Sequence, residues 1–440
     1  MQTSNKMELP FDKIKTVIMA GGKGTRLYPL VQDIPKPMIL IQNKPLIHYI
    51  INNSRKWGFS QFLLKLCYMP EKITSYFRKN SYFGGKMDYF VETEPLGTAG
   101  GLKFLEKEEN PVFILYGDVM LNVNLKKMLK YHLSIGADAT LLIHKSKHPE
   151  DSDVVILGED YKIQKIIHKP GSKDYGDITN AALYIFNPIC FSFISEGKSD
   201  FGKDIIPYLI NKGMKVYGYY TEEYMKDVGT VERIKEVEED IINGKVINSV
   251  EAVFLDRDGV INEEVNCLHK VDDFKLIPNV PSAINALNTI NIPVIVITNQ
   301  PVVARNLCSE DYLHKIHTHM ISELERNGAY IDDIFYCPHH PEKHHADGNP
   351  IYRIDCECRK PKIGMLLEAQ KRYGLDLSKC FMIGDTTTDI MTGKNAGCKT
   401  ILVRTGYNGK DKKHEVEPDY TFNSLMEASE FILNYNKGYK

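Results

Sequence analysis

The sequence lacks any long hydrophobic run. Its longest apolar stretches, such as IPVIVIT, have the length of a β-strand and are too short to span a bilayer. The opening MQTSNKMELPFDKIKT has no apolar core of the kind a signal peptide needs. The formal net charge is only -2, so the charge balance favours neither nucleic acid nor a membrane surface as a partner. We therefore expect a cytoplasmic protein without nucleic-acid or membrane partners.

Cysteine is scarce, and the sequence has no internal repeat and no low-complexity tract. Nine cysteines in 440 residues do not indicate a disulfide scaffold. Six of them are isolated and are expected to be small buried apolar residues. The other three, Cys337, Cys356 and Cys358, fall within one short window that also contains histidines.

Short apolar runs alternate with longer polar-periodic segments along the whole chain. KTVIMAG, FLLKLCY and PVFILYGD predict strands, KPLIHYIINNSRKWG predicts a helix, and AVFLDRDG restarts the same rhythm in the second half. A chain of this length is too long for one ordinary core. The charged segment VERIKEVEEDIING ends near Gly244 and marks the boundary. We predict an α/β fold with two doubly wound domains and mainly parallel sheets, comprising residues 1–245 and 246–440.

The segment MAGGKGTRLYPL follows the first predicted strand. Gly21, Gly22 and Gly24 let the backbone turn tightly and bring N–H groups up to an anion, and Arg26 adds a bidentate phosphate donor. It is not a Walker loop, and Leu27 stands where a dinucleotide fingerprint has its third glycine. Taken alone, the segment has a second interpretation, a glycine-rich strand-to-helix turn of no further meaning.

Six further motifs accompany this loop. They are IPKPM (34–38), EPLGTAGG (94–101), YGD (116–118), HKP (168–170), NAALYIF (180–186) and MKDVGT (225–230). In this order and spacing the seven motifs resemble those of the sugar-1-phosphate nucleotidyltransferases, over residues 15–234. The resemblance implies a Rossmann-like domain in which magnesium and cationic side chains neutralise the reacting phosphates.

The resemblance also implies a role for individual residues. Arg26 and Lys36 would contact the phosphates of the nucleotide, and Lys169 and Asn180 would contact the sugar phosphate. Asp118 and Asp227 would hold Mg²⁺. The nucleotide would be surrounded by Gly21, Gly22, Gly24, Thr25, Gly97, Thr98 and Gly100. Two positions depart from the family's usual residues, with His168 in place of glutamate and Ala182 in place of glycine. Both lie near the expected sugar site, so the motifs specify the reaction more closely than the sugar.

The segment VFLDRDGVIN brings Asp256 and Asp258 straight out of an apolar run. Buried carboxylates this close repel one another unless something compensates, so the pair is either a solvated turn or a cation-assisted site. A solvated turn explains the pair but not its companions. These are Thr298 and Asn299 in VITNQ, Lys360 in CRKPK, and Asp385 and Asp389 in MIGDTTTDI.

Together these motifs resemble those of the haloacid-dehalogenase-type phosphatases. The resemblance implies that Asp256 attacks phosphorus to give an aspartyl-phosphate, while Asp258 protonates the leaving oxygen and later deprotonates water. Thr298 and Lys360 would grip the phosphoryl group. Mg²⁺ would be held by Asp256, Asp385 and the carbonyl of Asp258. The sequence between Asp256 and Thr298 is too short for a large cap domain.

The cysteine window has the pattern C-x-H…C-x-C. Its members Cys337, His339, Cys356 and Cys358 suit a closed, tetrahedral, structural Zn²⁺ site that folds a loop. With FLDRDGVIN, TNQ and CRKP, the window resembles the heptose 1,7-bisphosphate phosphatases of bacterial surface-glycan synthesis (lipopolysaccharide or capsule). This resemblance implies that Asn299, Arg359 and Lys360 contact substrate phosphate. The histidinol-phosphate phosphatases share the loop and are the nearest alternative.

The two resemblances concern consecutive reactions. Removing the 7-phosphate of D-glycero-D-manno-heptose 1,7-bisphosphate leaves a heptose 1-phosphate, which a sugar-1-phosphate nucleotidyltransferase consumes. AGGKGTRL and IPKPM most resemble the mannose- and heptose-1-phosphate guanylyltransferases, so we expect sugar phosphates and GTP as ligands and GDP-D-glycero-D-manno-heptose as product. A homo-oligomer is compatible with the sequence. The alternatives are a mannose-1-phosphate guanylyltransferase fused to a histidinol-phosphatase-like domain, or a non-catalytic regulator that binds nucleotide sugars.

Overall fold

The computed structural model describes residues 11–28, 31–79, 85–146, 148–172, 174–341 and 348–437. Its contacts divide the chain into two compact units, and the boundary along the sequence falls between Val246 and Ile247. Within the described ranges, no helix is both long enough and apolar enough to cross a membrane.

The first unit is an α/β structure. Its strands are β1 (Lys15–Met19), β2 (Leu40–Ile41), β3 (Lys44–Pro45), β4 (Gln61–Leu66), β5 (Lys86–Val91), β6 (Val112–Tyr116), β7 (Val119–Asn122), β8 (Ala139–Lys145), β9 (Val154–Leu157), β10 (Ile163–Ile167), β11 (Ile178–Phe186), β12 (Val216–Tyr220) and β13 (Tyr224–Asp227). Its α-helices are α1 (Leu46–Lys56), α2 (Pro70–Lys79), α3 (Leu125–Ser134), α4 (Ile206–Asn211) and α5 (Val231–Ile242).

Nine of these strands form one sheet. Seven follow the order β10-β9-β11-β6-β1-β4-β5, with β8 paired to β11 and β12 paired to β8. β1 runs parallel to both β4 and β6, so the strand order reverses at β1. In open α/β sheets, ligands bind at such a reversal, outside the carboxyl ends of the strands. The loop that leaves β1 is the glycine-rich segment 20–24.

The second unit is built around a single parallel sheet. Its strands are β14 (Ala252–Leu255), β15 (Val294–Asn299), β16 (Asp333–Cys337), β17 (Cys380–Gly384), β18 (Lys399–Val403) and β19 (Tyr420–Phe422). Its helices are α6 (Val280–Thr289), α7 (Glu310–Arg326), α8 (Gly364–Tyr373), α9 (Thr387–Asn395) and α10 (Leu425–Asn436). The order β16-β15-β14-β17-β18-β19 reverses at β14, and Asp256 is the first residue after that strand.

Each sheet buries apolar side chains on both faces. In β14, Val253 and Leu255 join one core cluster, whereas Ala252 and Phe254 join the cluster on the opposite face. This is the two-residue alternation of a strand covered by helices on both sides. Fully burying one large apolar side chain stabilises the fold by about 1.5–3 kcal/mol, so both layers fix the position of the strand ends.

The predicted fold class is confirmed: both units are α/β, and only α6 and a short 3₁₀ turn separate β14 from β15, which leaves no large cap there. One expectation needs correction. The first sheet is mixed and not mainly parallel, because β11 runs antiparallel to both β6 and β8. At the start of α7, the Ser309 side chain accepts a hydrogen bond from the Tyr312 N–H and caps the helix.

Candidate active sites

Two carboxylates and one lysine meet at the first site. Asp118 follows β6 after Gly117, and Asp227 ends β13, which pairs with β7 so that Asp227 lies opposite Val119. Lys36 is 6% exposed and donates from Nζ to Asp118 Oδ2 at 2.7 Å and to Asp227 Oδ1 at 3.4 Å. The structure therefore brings together three residues that are far apart in sequence.

A fourth charged residue, which the motifs do not include, also belongs to this cluster. Arg233 lies in the first turn of α5 and places Nη1 2.5 Å from Asp227 Oδ2. The two acids are thus matched by two cations. Both acids direct an oxygen toward the Lys36 ammonium group. Carboxylate oxygens are the hard ligands that Mg²⁺ takes, so the chemistry of this donor set fits a magnesium ion.

The glycine-rich loop after β1 is arranged as a tight turn. Gly24 has φ +66° and its carbonyl accepts a hydrogen bond from the Leu27 N–H at 2.8 Å. Gly22 and Thr25 are exposed, and Gly21 is half-buried. The side chain of Arg26 lies outside the described part of the structure.

A second loop carries Gly97 and Gly100. Gly97 has φ +79°, and a Cβ there would lie 2.4 Å from the carbonyl oxygen of Ser199, so only glycine fits. The Gly100 N–H donates to the same carbonyl at 3.1 Å. Lys65, which is buried, donates to the carbonyl of Gly97 at 2.8 Å and to Glu92 at 2.5 Å. The loop is therefore held in one conformation from both sides.

Other side chains expected at the ligands bond to the protein itself. Thr98 Oγ1 donates to Asp200 Oδ2 at 2.8 Å. Asn180 Nδ2 donates to the Tyr184 hydroxyl at 2.8 Å. Lys169 is exposed and has a positive φ of 38°. None of the contacts just described links Thr98, Asn180 or Lys169 to the acids of the first site.

Three carboxylates and a lysine form the second site. One oxygen each from Asp256, Asp385 and Asp389 lie within 4.8 Å of one another. Lys360 is buried and places Nζ 2.9 Å from Asp256 Oδ1 and 2.5 Å from Asp389 Oδ1. Asp389 also forms a capping box with Thr386 that begins α9. The sequence motif includes Asp389 but implies no role for it. In the structure its carboxylate forms an ion pair with Lys360.

The electrostatics of this cluster favour a bound cation. Burial, followed by repulsion from Asp389, raises the pKa of Asp256 to about 7, although Lys360 opposes the shift. Burial and the neighbouring acids raise the pKa of Asp385 to about 9. Asp385 Oδ2 accepts from the Tyr407 N–H at 2.6 Å, while its buried Oδ1 has no hydrogen-bond partner among the described residues. An orphaned carboxylate oxygen beside two other acids fits a divalent cation.

Asp258 faces a different set of partners. The fully buried Arg257 donates from Nη2 to both oxygens of Asp258 at 2.8 Å, and Asn262 and Gln300 donate at 2.9 Å. Burial alone would raise the pKa of Asp258, but the Arg257 charge and these hydrogen bonds bring it below the usual value. His317 contacts Arg257 Nη1 from α7 at 3.3 Å. Arg257 and Gln300 lie inside the quoted motifs, but the sequence assigns neither of them a role.

Thr298 and Asn299 are the last two residues of β15, and their side chains bond to different partners. Thr298 is 1% exposed, and its Oγ1 accepts from Gln300 Nε2 at 3.0 Å. Asn299 pairs reciprocally with the backbone of Lys360: Oδ1 accepts from the Lys360 N–H at 3.0 Å, and Nδ2 donates to the Lys360 carbonyl at 3.1 Å. Asn299 therefore positions Lys360 in this structure.

The cysteine window folds into a compact cluster. Cys337 Sγ lies 3.5 Å from Cys356 Sγ and 3.8 Å from His339 Nδ1, and Cys358 Sγ lies 3.2 Å from Cys356 Sγ. A tetrahedral site with Zn–S bonds of about 2.3 Å spaces its sulfurs by roughly 3.8 Å, so the donors fit such a metal. Burial raises the pKa of the Cys337 thiol, which a bound cation would reverse. Arg359 donates to the His339 carbonyl at 2.9 Å, so it braces this loop.

Comparisons with known proteins agree with the two units. Residues 15–244 match the nucleotidyl transferase family model, and residues 357–428 match the HAD-hydrolase-like model. A D-glycero-D-manno-heptose-1,7-bisphosphate 7-phosphatase of Thermosynechococcus vestitus is 38% identical over 192 residues, which are 42% of this chain and 96% of that protein.

Two relatives match the first half equally well. A mannose-1-phosphate guanyltransferase of Debaryomyces hansenii is 33% identical over 223 residues, or 49% of this chain. A UTP–glucose-1-phosphate uridylyltransferase of a Synechocystis strain is 33% identical over 236 residues, or 50% of this chain. The chain spans 61% of the length of each of these two relatives.

Fold, sites and relatives together define an enzyme with two activities, a nucleotidyltransferase followed by a phosphatase. The chain belongs to the nucleotidyl transferase family through residues 15–244, and its second half belongs to the family of the T. vestitus phosphatase.

Magnesium is expected to stabilise the chain more at pH 8 than at pH 5.5. The folded state holds protons on Asp256 and Asp385 up to pKa values of about 7 and 9, whereas an unfolded aspartate releases its proton near 3.8. The folded state therefore binds more protons across this window, so stability falls as pH rises through it, and a cation can replace the lost protons.

The measurement is the Mg²⁺-induced rise in Tm at both pH values. The difference between the two pH values should shrink in Asp385→Asn. It should persist in Asp355→Asn, an exposed acid paired with Lys362. Equal Mg²⁺ effects at both pH values in the unmodified chain would contradict the assignment.

Proposed function

We propose that the chain is a bifunctional enzyme of GDP-D-glycero-D-manno-heptose synthesis. The second unit removes the 7-phosphate of D-glycero-D-manno-heptose 1,7-bisphosphate, and the first transfers GMP from GTP to heptose 1-phosphate with release of pyrophosphate. One observation carries this proposal: a unit matched over 96% of a heptose bisphosphate phosphatase shares a chain with a nucleotidyl transferase unit. The product of one reaction is the kind of substrate the other consumes.

The phosphatase step is assigned to the cluster after β14. Asp256 attacks phosphorus, the bond from phosphorus to the sugar oxygen breaks, and Asp258 supplies the proton that the leaving oxygen takes. Water then attacks phosphorus and gives its proton to Asp258, and the bond from phosphorus to the Asp256 oxygen breaks, which releases phosphate and restores Asp256. The bonds from Arg257 favour the ionised form of Asp258. This form accepts the proton of water in the second half-reaction, whereas the first half-reaction needs the protonated form, which the negative charge of a bound substrate phosphate would favour. Thr298 and Lys360 bind the phosphoryl oxygens. Mg²⁺ held by Asp256, Asp385 and the Asp258 carbonyl would neutralise charge there.

The nucleotidyl transfer is assigned to the crevice beside β1. A phosphate oxygen of the sugar phosphate attacks the α-phosphorus of GTP, and the bond to pyrophosphate breaks. Lys36 and Arg26 neutralise the phosphates, and the loop of Gly21, Gly22 and Gly24 offers N–H groups to them. Lys169 and Asn180 face the sugar phosphate, while Thr25 and the Gly97–Gly100 loop face the nucleotide. Asp118 and Asp227 would hold Mg²⁺.

The remaining assignments follow from this chemistry. A structural Zn²⁺ is held by Cys337, His339, Cys356 and Cys358. Arg359 acts on the substrate phosphate by bracing the cysteine loop, and Asn299 acts on it by positioning Lys360. The catalytic domains are residues 1–245 and 246–440. GTP and sugar phosphates are cytoplasmic compounds, so the enzyme works in the cytoplasm and supplies lipopolysaccharide or capsule synthesis.

A second candidate is a mannose-1-phosphate guanylyltransferase joined to a phosphatase of other specificity. The D. hansenii relative carries that name and favours it. A non-catalytic regulator is disfavoured because both clusters of acid and lysine are intact.

The two activities are expected to be separable. Asp256→Asn should lower phosphate release from heptose 1,7-bisphosphate by about 1,000-fold or more, because the nucleophile is lost. Transfer of GMP to supplied heptose 1-phosphate should be unchanged. Asp118→Asn should give the opposite pattern. Phosphate and pyrophosphate release, measured separately, decide this, and loss of both activities in either variant would refute two independent sites.

The substrate assignment is tested by a panel. Four nucleoside triphosphates are each offered with mannose 1-phosphate, glucose 1-phosphate and heptose 1-phosphate, and pyrophosphate release is measured. We expect GTP with heptose 1-phosphate to give the highest kcat/KM. A higher kcat/KM with mannose 1-phosphate would replace the heptose assignment with the second candidate, and a preference for UTP would overturn GTP.

Zinc content tests the cysteine cluster. The full chain should contain one Zn²⁺ per molecule by mass spectrometry, and Cys356→Ser should lose most of it because one of four ligands is gone. Cys308→Ser is the matched control, a half-buried cysteine outside the cluster. Equal zinc content in the two variants would refute the site.

A further inference from the structure

Arg233 is the charged residue of the first site that no sequence motif singled out. We propose that it is a positioning residue for the magnesium site of Asp118 and Asp227. The proposal rests on the nucleotidyl transfer proposed above. It assigns Arg233 no contact with substrate, only the orientation of one carboxylate.

The two oxygens of Asp227 have different partners. Oδ1 faces Lys36 Nζ at 3.4 Å, the same atom that Asp118 Oδ2 contacts at 2.7 Å. One oxygen from each acid therefore faces a common point. Oδ2 of Asp227 is bound instead by Arg233 Nη1 at 2.5 Å. The guanidinium thus holds the outer oxygen and leaves the inner one on the side of Asp118, where both acids contact the Lys36 ammonium group.

The backbone around Arg233 is fixed independently of this contact. Thr230 caps α5 by accepting from the Arg233 N–H at 3.3 Å. On the same helix, Asp240 accepts from Lys226 Nζ at 2.7 Å and from the Tyr224 hydroxyl at 2.9 Å. These bonds join α5 to β13, the strand that ends in Asp227. Loss of the Arg233 side chain should therefore leave the helix in place.

Two effects of Arg233 on a cation at this site have opposite signs. Its positive charge repels the cation, so removing it would tighten binding. Its hydrogen bond orients a ligand, so removing it would loosen binding, by roughly 10- to 100-fold for partners of metal ligands. The Arg233 and Asp227 side chains are 42% and 37% exposed, so water and salt screen the repulsion. The geometry points to orientation as the larger effect.

The test measures metal binding directly. Mn²⁺ replaces Mg²⁺, and free Mn²⁺ is followed by electron paramagnetic resonance with the full, zinc-loaded chain. Asp385→Asn is present in every sample to weaken metal binding at the second acidic cluster, from which it removes one of three carboxylates. We expect Arg233→Gln to weaken Mn²⁺ binding by about 10-fold, with partial rescue in Arg233→Lys, which keeps a donor but not the planar fork.

The control is Lys235→Gln, the same charge change at an exposed position on the same helix. It should leave Mn²⁺ affinity unchanged or slightly tighter. In nucleotidyl transfer, Arg233→Gln should raise the Mg²⁺ concentration for half-maximal rate and leave the KM for heptose 1-phosphate unchanged. Far-ultraviolet circular dichroism and a thermal unfolding curve like those of the unmodified chain show that the first unit, which contains Arg233, is folded in the variant.

The outcomes separate this inference from the proposed function. If Asp118→Asn weakens Mn²⁺ binding and Arg233→Gln leaves it equal or tighter, the positioning role is overturned and the metal site stands. If Asp118→Asn also leaves binding unchanged, the acid pair is not the metal site, and both the inference and the proposed transfer site fail.

Discussion

A buried lysine between two carboxylates is the interaction on which each site depends. Lys36 lies between Asp118 and Asp227, and Lys360 lies between Asp256 and Asp389. Acids gathered at the ends of buried strands repel one another, and an unpaired buried charge costs several kcal/mol. Each ammonium group relieves this repulsion and leaves a cationic donor facing the point where phosphate would react. In both units, although their topologies differ, a buried lysine therefore offsets the repulsion between two neighbouring carboxylates.

Topology explains why these charges meet. In both units the strand order reverses at the first strand, so the loop that follows opens into a crevice between diverging connections. The other charged groups arrive from neighbouring strand ends and from the turns beyond them. The apolar layers hold these ends in place, and the second unit adds tighter links, such as the pair between the Asn299 side chain and the Lys360 backbone. A rigid scaffold thus carries its reactive groups on short segments.

Much of the fold follows from local sequence, because apolar runs of strand length alternate with helical segments. The motif acids are also predictable in combination, since a solvated turn explains a carboxylate after a strand but not the motifs that accompany it. Long-range pairing is not: nothing local in NAALYIF shows that β11 runs antiparallel to β6, or that Ala182 adopts φ +55° at an irregular register. Arg257 and Gln300 lie inside the quoted motifs but receive no role there, and Arg233 lies outside the motifs, because the partner of a single polar residue is known only once the chain has folded.

The cysteine cluster stands immediately before the lysine of the phosphatase site, with Cys358, Arg359 and Lys360 consecutive in the chain. If the cluster holds zinc as proposed, the ion fixes the segment that delivers the ammonium group to Asp256. Scarcity of zinc would then slow the hydrolytic half of the chain and spare the nucleotide-using half. The balance between two successive products of one polypeptide would follow the trace-metal supply of the cell.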